Sequence, residues 1–217
     1  MIKLLITDIG GVLVKTDDAI VACIERVFSM NHIAPGSRND LLQAFGVSIY
    51  DYIAAYLPSD KKDWAAQCYK EFQEIYPREV MHLMHVFPGV KETLAELNER
   101  GITLCVLSCM TRNQVEANLS LLHFNKFAFV YSIEDYVQKR PNPHGLHKIL
   151  DKIGCIPQEA LYVGDTVNDI RMAQNAGVAS AAVTTGMQGE STLRTAEPDY
   201  LIDNFTDVTG ILIRQKS

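Results

Sequence analysis

Apolar and polar positions along the chain follow two different periods, which predict two kinds of element. Residues 2–7 are nearly all apolar and end at an aspartate, which is typical of a buried strand. From Asp17 the apolar positions fall on one helical face, which predicts a helix with Asp17 or Asp18 as its N-cap. Further helical patterns occupy about 38–56 and 60–76. No convincing strand lies between about 15 and 85, so this stretch is predicted to be a helical insertion.

Strands and helices alternate from Pro88-Gly89 onward. The predicted strands are 102–107, 127–131, 160–163, 178–183 and a short last one at 199–202. The predicted helices are 89–100, 111–122, 143–153, 167–176 and 205–213, of which the first ends on Gly101. Alternation of this kind predicts the α/β class, with a parallel sheet and right-handed crossovers.

Polar residues stand where several of these strands end. Asp8, Ser108 and Asp165 each follow an apolar strand, and Arg140 lies in the loop after another. Because ligands bind beyond the carboxyl ends of parallel strands, we expect these four side chains to converge. Carboxylates there would hold Mg²⁺, whereas the hydroxyl, the guanidinium and loop amides would hold phosphate oxygens.

Composition and charge narrow the class of partner. The chain has 217 residues, and 20 Lys and Arg against 26 Asp and Glu give a formal net charge of −6. A negative net charge disfavours general binding to nucleic acid or to anionic membranes, because both kinds of binding rely on a basic surface. The five cysteines form no C-x-x-C pair, which fits reduced thiols. With no signal peptide or apolar run of membrane-spanning length, we expect a cytoplasmic protein that is a monomer or a homodimer.

Four motifs in chain order carry a family resemblance. They are Asp8-Ile9-Gly10-Gly11-Val12-Leu13, Ser108, Arg140-Pro141-Asn142-Pro143 and Gly164-Asp165-Thr166-Val167-Asn168-Asp169. They resemble the D-x-D-G-x-L, Ser or Thr, K-P-x-P and G-D-x-x-x-D motifs of the haloacid dehalogenase superfamily. The segment from Phe87 is similar to the re-entry into the core after a type-1 helical cap. Each motif alone is weak evidence for the family. Four motifs in the same order, at matching places in the alternation of strands and helices, are strong evidence.

The resemblance implies a fold and a set of roles. The fold would be a Rossmann-like three-layer α/β/α core of residues 1–14 and 86–217, with a small α-helical cap of residues 15–85. Asp8 would be the nucleophile that forms an aspartyl-phosphate. Asp8, the Gly10 carbonyl and Asp165 would bind Mg²⁺, with Asp169 acting through a bound water. Ser108 and Arg140 would hold the transferring phosphoryl group of a small phosphorylated metabolite.

Gly10 and Arg140 depart from the family's pattern. Gly10 occupies the position where the family's phosphatases usually carry an acid–base aspartate, whose loss is worth roughly 10²–10⁴-fold in rate. Arg140 stands in a lysine position, as in phosphonatase-like members. The stretch most similar to the cap region that holds the phosphonatase Schiff-base lysine, 41–49, contains no lysine, so the broader phosphonatase-like group fits better.

Three further residues are candidates for substrate contact. Gly11 belongs to a turn that lets backbone approach a ligand. Lys15 is the cap cation nearest to the first motif in sequence. Cys109 replaces a common Asn and could lie near the phosphate, although a buried, inert thiol is the preferred interpretation.

Two rival functions stay open beside the Mg²⁺-dependent phosphatase. A metal-independent haloacid dehalogenase would use the same nucleophile on carbon, but the pair Asp165 and Asp169 makes sense mainly with a cation. A catalytically weak or silent member would bind a metabolite or a partner protein, and Gly10 is its only support. Chloride release without Mg²⁺ would favour the first rival, and a null screen of phosphorylated metabolites the second.

Overall fold

The computed structural model describes residues 1–34 and 49–214. The strands of this part are β1 Leu4–Thr7, β2 Val14–Lys15, β3 His85–Val86, β4 Thr103–Leu107, β5 Phe129–Tyr131, β6 Ala160–Gly164, β7 Ala179–Val183 and β8 Tyr200–Ile202. Six of them form one parallel sheet in the order β5-β4-β1-β6-β7-β8, and β2 pairs with β3 in a separate antiparallel pair. The predicted parallel α/β sheet is therefore confirmed.

The helices follow the strands of the sheet, apart from a group inserted after β2. They are α1 Asp17–Met30, α2 Ile49–Tyr56, α3 Ala65–Glu79, α4 Val90–Glu99, α5 Arg112–Leu122, α6 His144–Ile153, α7 Val167–Ala176, α8 Glu190–Arg194 and α9 Val208–Arg214. Short 3₁₀ helices span Ser59–Trp64, Met81–Leu83, Ile133–Asp135, Pro157–Glu159 and Phe205–Asp207. No helix of the described ranges is both long enough and apolar enough to cross a membrane.

The sheet is buried on both faces, which explains the continuous apolar runs of its central strands. All four residues of β1 are buried. On one face Leu5 packs in a cluster with apolar residues of α1, α3 and α4, and on the other Leu4 and Ile6 pack in a cluster with residues of α6 and α7. A sheet covered on both faces by helices is the arrangement that all-parallel strands require.

The strand order places the ends of three strands side by side. β1 lies between β4 and β6, and Thr7 is level with Val106 and with Val163. The strand order reverses direction at β1, because β4 continues the chain to one side and β6 to the other. Residues that follow these three strands therefore share one point at the carboxyl edge.

The structure corrects the prediction in three details. The stretch 15–85 is not free of strands, since β2 and β3 lie at its two ends. Thr16, not Asp17 or Asp18, occupies the N-cap position of α1, and it makes no capping bond through its side chain. The short helix α8 was not predicted. The first part of the predicted helix 38–56, up to residue 48, lies outside the described residues.

Candidate active site

Asp8 stands directly after β1, and both of its carboxylate oxygens are held. The Ile9 amide donates to Oδ1 at 2.7 Å, and Nη1 of Arg140 donates to Oδ2 at 2.6 Å. Asp8 is only 5% exposed. A carboxylate in this state has a fixed orientation, as a nucleophile requires.

Arg140 connects the loop before α6 to the ends of two strands. Its Nη1 also forms an ion pair with Oδ1 of Asp169 at 2.6 Å, and its Nη2 donates to the Leu107 carbonyl at 2.7 Å. Burial alone would lower the pKa of Arg140, but Asp169 and Asp8 outweigh it and hold that pKa well above its ordinary value. Arg140 is therefore a permanent cation beside Asp8. The sequence predicted that Arg140 lies near Asp8, and in the structure the two side chains are in contact.

Asp165 follows β6 and lies in a pocket lined by glycines. A Cβ on Gly11 would lie too close to Asp165 Oδ2 for any side chain, and a Cβ on Gly186 would collide with the same carboxylate. The Met187 amide donates to Oδ2 at 2.8 Å. The Gly11 amide donates to the Val14 carbonyl at 2.9 Å, so the observed contribution of Gly11 is the space that it leaves for Asp165.

Asp169 has a hydrogen-bond donor on each oxygen and is fully buried. Its Oδ2 accepts from the amide and the hydroxyl of Thr166, at 3.0 and 2.6 Å, which is a capping box at the start of α7. Its Oδ1 accepts from Tyr162 Oη at 3.0 Å and pairs with Arg140. Because these partners occupy both oxygens, Asp169 suits an indirect role at the site better than direct ligation.

Ser108 and Cys109 follow β4 on the other side of Asp8. Ser108 is fully buried, and its Oγ accepts from the Met110 amide at 3.3 Å. Cys109 was expected to be buried, which is wrong, because the residue as a whole is exposed to solvent. Protein atoms nevertheless crowd the thiol, and this burial, only partly opposed by Arg140, raises the pKa of Cys109 to about 11. A thiol with this pKa is protonated at neutral pH.

The three aspartates form one acidic cluster. One oxygen of each of Asp8, Asp165 and Asp169 lies within 4.8 Å of the others, and all three residues are buried. Burial, then the charges of Asp169 and Asp8, holds the pKa of Asp165 well above its usual range. Burial also raises the pKa of Asp169, although Arg140 opposes this. A cluster of hard oxygen donors with an excess of negative charge is suited to Mg²⁺.

Lys15 lies at the edge of the site. Its Nζ is 3.4 Å from Asp18 Oδ2 and 3.8 Å from Asp17 Oδ2, and the side chain is exposed. Lys15 lines a cavity of about 30 Å³ together with Thr16, Gly186 and other residues. The substrate contact of Lys15 stays a prediction.

Three contacts of the site were missed by the sequence analysis. Tyr162 holds Asp169, the Met187 amide holds Asp165, and Met110 lies against Gly10. In the sequence, Tyr162 looks like one more apolar position of a strand. No pattern in a single sequence predicts that the 185–187 loop lies next to residue 165. Only the T-x-x-D spacing of Thr166 and Asp169 could have been read as a capping box.

Comparison with known proteins identifies the family of the chain. The family model for haloacid dehalogenase-like hydrolases matches residues 5–183. Among curated proteins, Pyrophosphatase PpaX of Bacillus mycoides is 29% identical over 214 residues, which cover 98% of each chain. The PpaX of Bacillus velezensis is 30% identical over 210 residues, which cover 94% of each.

Solved structures with this fold cover nearly the whole chain. A predicted phosphoglycolate phosphatase from Haemophilus somnus superposes with a TM-score of 0.83 at 23% identity, covering 97% of this chain and 98% of the other. A haloacid dehalogenase-like family hydrolase from Streptococcus pneumoniae gives 0.83 at 21% identity with the same coverage. The chain therefore belongs to the haloacid dehalogenase-like hydrolases and is an enzyme of the family's phosphatase type.

Proposed function

We propose that this protein is a Mg²⁺-dependent phosphatase that transfers the phosphoryl group of a small phosphorylated metabolite to Asp8 and then to water. The observation that carries the proposal is the buried cluster of Asp8, Asp165 and Asp169 with Arg140 bonded to its centre. The names of the relatives, pyrophosphatase and phosphoglycolate phosphatase, support a small anionic substrate.

The residues present fit a magnesium ion. Asp8 and Asp165 would hold it through carboxylates, the Gly10 carbonyl would be a third ligand, and Asp169 would act through a bound water. Burial is the main cause of the raised pKa values of Asp165 and Asp169, and the charge of the neighbouring carboxylates adds to it. A divalent cation bound there would favour the charged form of both groups. When bound, magnesium supplies positive charge that neutralises phosphoryl oxygens.

The side chains of the site carry out the other steps of the proposed reaction. Asp8 attacks phosphorus, the bond to the leaving group breaks, and an aspartyl-phosphate forms. Ser108 and Arg140 stabilise the charge on the phosphoryl oxygens, and Gly11 and Cys109 contact the bound substrate in this proposal. Water then attacks the aspartyl-phosphate, releases phosphate and restores Asp8.

The helical stretch 15–85 would serve as a cap over this site. It is joined to the core through the β2–β3 pair, and α1 packs against α3 within it. Closure of such a segment excludes water from the reacting phosphate. We propose 1–14 and 86–217 as the core in this arrangement.

A screen of phosphorylated metabolites with and without Mg²⁺ tests the proposal. We expect turnover that needs Mg²⁺ and is abolished by Asp8→Asn, because the amide cannot act as the nucleophile. The matched control is Asp151→Asn, an exposed aspartate on α6, which should retain full activity. Chloride release from haloacids without Mg²⁺ would instead support the dehalogenase, and no turnover of any compound would support a silent binding protein.

A further inference from the structure

Tyr136 is a buried phenol in the stretch between β5 and α6, which also carries Arg140. Its Oη donates to the Ser108 carbonyl at 3.1 Å, and the residue is 6% exposed. Burial raises the pKa of Tyr136, and Arg140 only partly opposes this, so the phenol is protonated at neutral pH. Tyr136 is thus a permanent hydrogen-bond donor to the loop that follows β4.

Two side chains of this stretch hold consecutive carbonyls at the end of β4. Nη2 of Arg140 donates to the Leu107 carbonyl at 2.7 Å, and Tyr136 donates to the Ser108 carbonyl. Of the two donors, only Tyr136 is neutral. Its hydroxyl can therefore be removed without a change of charge beside Asp8.

The ring of Tyr136 has a defined position. It belongs to the apolar cluster that also contains Leu107, and a Cβ on Gly145 would lie 3.5 Å from its Cγ, so the ring lies against the first turn of α6. The next amide along the chain, that of Val137, donates to Nδ1 of His144 at 3.3 Å. A ring that is fixed by packing presents its hydroxyl in one place, as a group that orients another must do.

The bond from Tyr136 fixes the peptide group that joins Ser108 to Cys109. In a planar trans peptide the C=O and the N–H point in opposite directions, so a carbonyl held on one side turns the amide to the other. Within residues 1–34 and 49–214, the Cys109 amide donates to no protein atom, and the residue is exposed to solvent. This amide is therefore open to a ligand.

Cys109 lies among the charged groups of the site. Burial raises the pKa of its thiol most, and after burial Arg140 lowers this pKa while Asp8, Asp169 and Asp165 raise it, so all four are within electrostatic reach. The residues after β4 lie next to those after β1, because the two strands are paired. An open amide in such a place can donate to an oxygen on which negative charge develops.

We propose that Tyr136 is a positioning residue of this enzyme, which holds the Ser108 carbonyl and thereby keeps the Cys109 amide directed at the oxygens of the transferring phosphoryl group. The inference rests on the proposed phosphatase function and adds to it a residue that does not touch the substrate. Without the phenol, the Ser108 carbonyl would lose its partner, and the peptide would turn toward another donor. The Cys109 amide would then lose its fixed direction.

Tyr136→Phe removes the hydroxyl and keeps the ring. We expect kcat/KM for a chromogenic aryl phosphate at saturating Mg²⁺ to fall by about tenfold, less than the roughly 10²–10³-fold cost of removing an oxyanion-hole donor, because the amide itself remains. The melting temperature should fall by only about 2–4 °C, the shift that one hydrogen bond gives at this size. Tyr200→Phe on β8, at the far edge of the sheet, is the matched control and should retain kcat/KM.

Two inhibitors separate positioning from a purely structural role. Orthovanadate takes a fifth oxygen ligand, as phosphorus does in the transition state, whereas inorganic phosphate stays tetrahedral. Because an enzyme is complementary to the transition state, the inhibition constant of orthovanadate should rise by about tenfold in Tyr136→Phe, and that of phosphate by about twofold or less. Inhibition constants do not depend on the amount of folded enzyme, so a partly unfolded variant would not imitate this result.

Two results would overturn the inference, and they are distinguishable. Unchanged kcat/KM in Tyr136→Phe, or equal shifts of the two inhibition constants, would make the bond to Ser108 structural only, and the phosphatase function would stand. A wild type that turns over neither the aryl phosphate nor any phosphorylated metabolite would overturn the proposed function itself, and the role of Tyr136 with it.

Discussion

The pKa of Asp165 shows how burial and neighbouring charges act together on a single carboxylate. Because the pKa of Asp165 is raised in the folded protein, the folded state holds its proton more tightly than the unfolded state. At pH values above the ordinary carboxyl pKa, this difference lowers the stability of the metal-free fold. A bound cation would offset this loss of stability. If Asp165 holds Mg²⁺ as proposed, the residue therefore increases metal affinity while it lowers the stability of the metal-free protein.

This opposition gives a prediction for Asp165→Asn. The metal-free variant should unfold at a higher temperature than the metal-free wild type, by about 2 °C or more, since roughly 1 kcal/mol corresponds to 2–4 °C at this size. Mg²⁺ should raise the melting temperature of the wild type but hardly that of the variant, and turnover should fall. Thermal unfolding with and without MgCl₂ measures this, with Asp151→Asn as control. A wild type indifferent to Mg²⁺ would contradict the metal site.

In the proposed mechanism, the lack of a side chain at Gly10 bears on the second step, the hydrolysis of the aspartyl-phosphate. Water that attacks the aspartyl-phosphate has no carboxylate at position 10 to accept its proton, so this step should limit turnover with a good leaving group. Rapid mixing with a chromogenic aryl phosphate should give a burst, and acid quench should trap phosphoenzyme. Gly10→Asp with Met110→Ala should shorten the lifetime of this species by about tenfold. A fast wild type without a burst, slowed by these substitutions, would mean that another residue activates the water.

Individual site residues could be predicted only where chemistry and position coincide. Asp8, Ser108, Arg140 and Asp165 stand at strand ends or in the loop beyond one, and such places meet at one edge of a parallel sheet. Met110 could not be predicted, because its importance lies in one methyl group that reaches a neighbouring loop. The exposure of Cys109 also depends on how the loop after β4 turns, which no local pattern determines.

Among the elements, α7 links stability to the site through its first turn. Thr166 caps α7 and also holds Asp169, so Thr166→Ala should cost both stability and activity. Asn204 makes a similar capping box at Phe205–Asp207, after the edge strand β8. Each substitution to Ala should lower the free energy of unfolding by about 1 kcal/mol, the usual worth of an N-cap. Only Thr166→Ala should reduce kcat and weaken the Mg²⁺ dependence; equal kinetic effects would show that Asp169 needs no support from Thr166.

The end of a helix could be predicted where the helical spacing of apolar residues stopped just before a glycine. Helix α4 ends before Gly101 and α6 ends before Gly154, and both glycines have positive φ angles. The strands β2 and β3 were not predictable, since each is two residues long and exists only because its partner lies opposite. The short helix α8 follows Gly189 and has too few residues to show a helical period.

At the scale of the whole molecule, closure of the helical segment over the core is the motion to test. Lys15 stands in β2, where the chain leaves the core, and is paired with two carboxylates in this structure. If closure brings Lys15 to the substrate, Lys15→Ala should raise KM and leave Mg²⁺ binding unchanged. Steady-state kinetics with pyrophosphate and Mg²⁺ titration measure the two effects. Lys70→Ala, at an exposed position of α3, is the matched control, and unchanged KM and kcat in Lys15→Ala would make Lys15 a surface charge only.

The pairing of Val14 with Val86 has a consequence for how such a chain can diversify. The two ends of the helical segment lie side by side in the β2–β3 pair. The chain therefore re-enters the core close to the point where it leaves it, whatever the length of the segment. The entropy of closing the intervening loop grows only with the logarithm of its length. A segment of another length can therefore close on the same pair at little extra entropic cost, provided that it also packs on the cluster that α1 and α3 cover here. Substrate choice can then change by exchange of a module, while Asp8 and its neighbours keep their chemistry.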